Sequence, residues 1–234
     1  MTEPAASVWP AAPERAAGSA AQVLRISRGF SCLFWSLLLL SAAHAAALGG
    51  VLPSRWSAGG LPLCFVPLAC GLWMLRAGGE PTSKWRPKIA RVSLLALVVA
   101  GLCPFLAWWS QAPTQLYFAA NAGAHYLALV ALLAGLIRLA GEAARWLGDA
   151  SLRRESVAGL GMVLWLSVCT AGALVWLFHR AGLLEAGLPT VLAQLAALPG
   201  EARTLFLLPY AMTAYVMWRA KETGFRRAAS LLAS

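Results

Sequence analysis

Charge is what this chain has least of. Only 12% of its 234 residues are Asp, Glu, Lys or Arg, whereas 60% are hydrophobic. A soluble domain of this length carries about 25% charged residues. Half that amount leaves most of the surface facing something other than water. Acidic groups are scarcer still, with nine Asp and Glu against 19 Lys and Arg. Catalytic signatures are missing as well: there is no G-x-S-x-G, H-E-x-x-H, P-loop or complete G-x-G-x-x-G. The Gly159-Leu160-Gly161 pair lacks a third glycine and opens an apolar run, which suits helix packing. No catalytic residue is assigned: missing motifs do not exclude a membrane enzyme, but they leave no positive case for one.

Cysteine is present but offers no framework. The five are Cys32, Cys64, Cys70, Cys103 and Cys169, an odd number without a C-x-x-C, all in or beside apolar runs. Cys64 and Cys70 would be separated on a helix by about 9 Å of rise and about 240° of rotation, too far to bridge. Each reads as a small hydrophobe. No metal site and no cofactor is expected.

What the chain has in quantity is apolar runs, at about 30–52, 57–75, 90–111, 114–138, 157–179 and 204–218. A spanning helix needs roughly 20 apolar residues. The second and sixth runs are short and need flanking residues or local thinning. The fold class is therefore an all-α membrane bundle of about six transmembrane helices. Residues 1–22 are Ala-, Pro- and Ser-rich without periodicity and read as a disordered tail. The bundle occupies 23–222, and 223–234 forms a short basic tail.

Loop charges orient the bundle. With the N-terminus in the cytoplasm, 16 of the 19 Lys and Arg fall inside, and only Arg55, Arg180 and Arg203 fall outside. Both termini are then cytoplasmic. The net charge of +10 is clustered at the ends of the runs. That placement suits membrane lipids with anionic headgroups, not nucleic acid. Arg far outnumbers Lys, and Ala, Leu and Gly abound, as in GC-rich bacterial genomes, so the expected location is the bacterial inner membrane.

Three segments need separate readings. Residues 181–198 are apolar, but a seventh span there would place Arg219, Lys221, Arg226 and Arg227 outside. Pro189 and Pro199-Gly200 frame a helix too short to cross, so 189–198 reads as an interfacial or re-entrant outer helix. Phe30 to Leu40 with Ala43-His44-Ala45 resembles a signal peptide with an A-x-A site. The long preceding segment and the continued run to Leu52 favour retention as the first helix. Arg138, Glu142, Arg145 and Asp149 alternate in sign on one helical face and read as a solvated hairpin.

Tryptophans agree with these spans. Trp56, Trp108, Trp109 and Trp176 fall near the outer interface, and Trp73, Trp85, Trp146 and Trp218 near the inner one.

Polar residues inside spans are costly in lipid and face the bundle interior. Tyr117, Asn121 and His125 recur at i, i+4 and i+8 on the fourth helix, a stripe suited to interhelical hydrogen bonds or to a substrate path. His44 on the first helix and His125 lie at depths that agree within about 3 Å, given about 1.5 Å of rise per residue. Two imidazoles at one depth are weak candidates for axial haem ligands. Of the outer set His179, Arg180, Glu185, Glu201 and Arg203, the two arginines end the fifth span and begin the sixth and read as snorkelling to headgroups. The alternative is an outward-facing site with Glu185 as base.

The leading expectation is a non-catalytic accessory or scaffold component of a membrane assembly, with other membrane proteins as partners. The rival is a small permease or proton-coupled transporter using Tyr117, Asn121 and His125. A lipid-handling enzyme or di-histidine haem protein forms a third class.

Overall fold

The computed structural model describes residues 12–48, 60–79, 81–180, 182, 190–191, 194, 197–199 and 207–233. Among these the regular structure is helical. The main elements are α1 (Ala12–Leu48), α2 (Val66–Ala77), α3 (Trp85–Gln111), α4 (Leu116–Leu147), α5 (Ala150–Arg180) and α6 (Leu208–Ala233). Five spans, 19–47, 60–77, 85–109, 116–147 and 150–180, are long and apolar enough to cross a membrane. The sixth helix, α6, lies outside that set: Arg219, Lys221, Glu222, Arg226 and Arg227 make its second half polar.

Helices extend beyond the apolar runs at several ends. α1 begins at Ala12, so half of the segment expected to be a disordered tail is helical. Pro13 sits in its first turn, where a missing N–H costs nothing, and Ala and Arg then favour propagation. α6 likewise continues through the expected basic tail to Ala233. Pro62 and Pro67 interrupt the second span: Cys64 and Phe65 form a turn, and Pro67 lies in the first turn of α2.

α4 is the central helix, with 61% of its spanning window buried. It packs between α3, α5 and α6, while α1 lies along α6 and α2. Glycine sets the crossing of α1 and α2. A Cβ on Gly29 would stand 2.7 Å from Leu75 Cδ2 and 3.2 Å from the Gly71 carbonyl. One on Gly71 would stand 2.9 Å from Leu33 Cδ2 and 3.1 Å from the Gly29 carbonyl. α1 and α2 thus meet backbone to backbone, as small residues permit in membranes.

The α4–α5 link is compact. Gly148 has φ 72° and closes α4 in the left-handed conformation, and Asp149 accepts the Leu152 N–H at 2.9 Å to cap α5. Of the charges expected to solvate a hairpin here, Arg138 and Arg145 are exposed but Glu142 is not. Glu142 is 3% exposed and joins Lys88 and Arg145, with Thr82 Oγ1 donating to it at 3.0 Å. The i, i+3 pairing with Arg145 follows from the pattern. Thr82 and Lys88 come from before and within α3, which turns the carboxylate inward. A second pair ties α6 to α5, where Arg219 Nε donates to Glu155 at 2.8 Å and Nη2 at 3.0 Å.

Tryptophans divide between surface and core. Trp73, Trp108, Trp176 and Trp218 are exposed, in keeping with interfacial belts. Trp85 is the correction: it is fully buried, and its indole N–H donates to the Leu75 carbonyl at 3.1 Å, tying α3 to α2.

Candidate functional site

Four helices bring their polar side chains to one place in the apolar interior. α1 contributes His44, α3 Cys103, α4 His125 and α6 Tyr210, each 2% exposed or less. His44 Nε2 and His125 Nε2 stand 3.1 Å apart, with the rings 25° from parallel. The ligand atoms of His44, Cys103 and His125 all lie within 4.8 Å of one another. The Tyr210 hydroxyl is 3.4 Å from His44 Nδ1.

Backbone carbonyls orient both rings. His44 Nδ1 lies 2.8 Å from the Leu40 carbonyl one turn back on its own helix. His125 Nδ1 reaches across to the Val99 carbonyl at 3.1 Å. Pro104 lies inside α3 and leaves the neighbouring Ala100 carbonyl without its helical donor. Proline has no N–H and its ring crowds the carbonyl four residues back, so the helical ladder opens at this level. His125 bonds one residue before that break, where the Val99 carbonyl has a second lone pair to offer.

The depth match between His44 and His125 is thus realised as direct contact. A trans pair on a haem iron needs nitrogens about 4 Å apart, twice the usual metal–nitrogen distance. The 3.1 Å separation is too short for that arrangement. His44 being packed here also means that cleavage after Ala45 would remove part of the cluster.

The rest of the α4 stripe does not join it. Tyr117 is 64% exposed and stacks edge-on with Phe105 at 5.7 Å. Asn121 is half-buried and donates to the Tyr117 carbonyl at 2.8 Å, within its own helix. Three residues at i, i+4, i+8 share a face only approximately, and the interior claims the last of them. Cys103 and Tyr210 were not singled out from sequence. A cysteine in an apolar run carries no periodic signal, and Tyr210 gains meaning only through the contact between α6 and α1.

At the far edge, His179 and Arg180 are exposed, and the Arg180 guanidinium lies 5.9 Å from the Trp176 ring centroid. Glu185, Glu201, Arg203 and half of the outer helix expected at 189–198 lie outside the described residues. Compared with known proteins, the chain matches no family model, no curated protein and no solved structure.

Proposed function

We propose that this chain is a six-span bacterial inner-membrane protein with both termini in the cytoplasm, acting as a non-catalytic accessory component of a membrane assembly. The observation that carries this reading is the sealing of the polar cluster. His44 and His125 are 2% and 1% exposed and are enclosed by α1, α3, α4 and α6. A permease path along α4 needs Tyr117, Asn121 and His125 to line one aqueous route. Tyr117 points out of the bundle, and the Asn121 side chain bonds to its own helix.

α5 supplies the surface such a component would use. Only 12% of its spanning window is buried, and Val157, Trp165, Val168 and Trp176 are exposed. In the assembly this face meets another membrane helix as well as lipid.

The test is a photo-crosslinking residue at position 165 or 168 in native membranes, followed by purification and mass spectrometry. One discrete protein adduct, absent when the probe is moved to the opposite, buried stripe of α5, is expected. Lipid adducts alone, from a chain that purifies without a stoichiometric partner, would overturn the reading.

A further inference from the structure

We propose that His44, Cys103 and His125 form a copper(I) site inside the bundle, with the two Nε2 atoms and the Cys103 thiolate as ligands. A proton count leads to it. The Leu40 carbonyl, the His44 ring, the His125 ring and the Val99 carbonyl form a line of three polar contacts, at 2.8, 3.1 and 3.1 Å. Carbonyl oxygens only accept, so both outer contacts require the hydrogen to be on Nδ1. Each neutral imidazole has one N–H. Both are consumed at the outer contacts, and the central contact sets two lone pairs against each other.

The Tyr210 hydroxyl does not relieve this. It lies 3.4 Å from His44 Nδ1, farther than the Leu40 carbonyl at 2.8 Å, and it touches neither Nε2. A third proton on the pair would bury an imidazolium, and the cluster of His44, Cys103 and His125 contains no carboxylate to balance it. A metal cation between the Nε2 atoms resolves the contact. Ligand nitrogens on a tetrahedral or trigonal centre stand about 3.3–3.5 Å apart for metal–nitrogen bonds of about 2.0 Å. The observed 3.1 Å is within a small ring movement of that.

The surroundings agree. Carbonyl partners on Nδ1 fix the tautomer that presents Nε2 to a metal, as they do at known histidine ligands. Cys103 supplies a third donor that is soft and fully buried. A thiolate with two imidazoles selects copper or zinc over magnesium, calcium or manganese. Charge then separates those two. One thiolate neutralises Cu(I), whereas Zn(II) would leave a net positive charge in an apolar interior. Binding ionises the thiol, so each copper taken up releases one proton.

The experiment titrates chelator-treated, full-length protein in detergent with Cu(I) under anaerobic conditions, against a competing chromophoric chelator, and in parallel with Zn(II). One tightly held Cu(I) with one proton released is expected, and X-ray absorption of that complex should fit two nitrogens and one sulfur. Cys103→Ser and His125→Asn should each weaken binding by about a hundredfold or more. Cys32→Ser is the control, since its thiol lies against Met74 Sδ at 3.7 Å, apart from the cluster. Metal-free thermal melts establish that each variant is folded. If His125→Asn fails to fold, Cys103→Ser and the absorption spectrum decide. Absence of competitive Cu(I) binding, loss of copper in Cys32→Ser instead, or preference for Zn(II) overturns the proposal.

Discussion

His44 and His125 are 81 residues apart in sequence, and their Nε2 atoms stand 3.1 Å apart in the structure. The contact joins α1 to α4 through the apolar interior, with neither ring open to water. If it serves packing, its removal must cost stability. His125→Ala leaves the Val99 carbonyl without its cross-helix partner and opens space beside His44. A loss on the order of 1 kcal/mol or more in detergent unfolding is expected. Asn121→Leu, which removes only a bond within α4, should change the midpoint little. Equal losses in both variants would contradict this account.

The α1–α2 crossing makes a sharper stability prediction. Gly71→Val places methyl groups against Leu33 and the Gly29 backbone, and should destabilise by about 1–3 kcal/mol. Gly161 on α5 has open space where a Cβ would go, so Gly161→Ala should be neutral or slightly stabilising. A tolerated Gly71→Val would mean that the two helices do not meet at these glycines.

The two carboxylates that bind the helices should differ in weight. Glu142 has a 4% exposed side chain held by Lys88, Arg145 and Thr82, whereas Glu155 is 24% exposed opposite Arg219. Glu142→Ala removes the buried carboxylate that Lys88, Arg145 and Thr82 share and should cost about 1–3 kcal/mol. Glu155→Ala should cost under about 1 kcal/mol, because solvent replaces much of the pairing. Chemical denaturation of both variants in one detergent gives the ranking, and a reversed order would refute it.

Much of this architecture was legible in the sequence, because lipid forces apolar runs and backbone bonding into helices. The depth agreement of His44 and His125 could be read from distances to the helix ends. Other features depend on rotation about each helix axis, which apolar residues on all sides do not reveal. Trp85 turned inward to the Leu75 carbonyl, and Glu142 found Lys88 on a different helix. Cys103 joined the histidines for the same reason. The polar half of α6 weakened its standing as a span, yet its apolar face lies along α1.

Topology is testable by labelling. In a chain whose native cysteines are replaced, an impermeant thiol reagent applied to intact cells should modify Gly182→Cys. It should reach Arg86→Cys and Arg153→Cys only after the membrane is opened. Labelling at 86 or 153 in intact cells would reverse the assignment.

The sealed interior is the central claim, and Cys103 is its native reporter. A variant retaining Cys103 as its only cysteine is treated with chelator and exposed to a small hydrophilic thiol reagent, beside a Gly182→Cys control. The account predicts rapid labelling at 182 and none at Cys103 until the protein is unfolded. Prompt labelling of Cys103 in the folded protein would reveal a water path to His44 and His125, and would contradict the account.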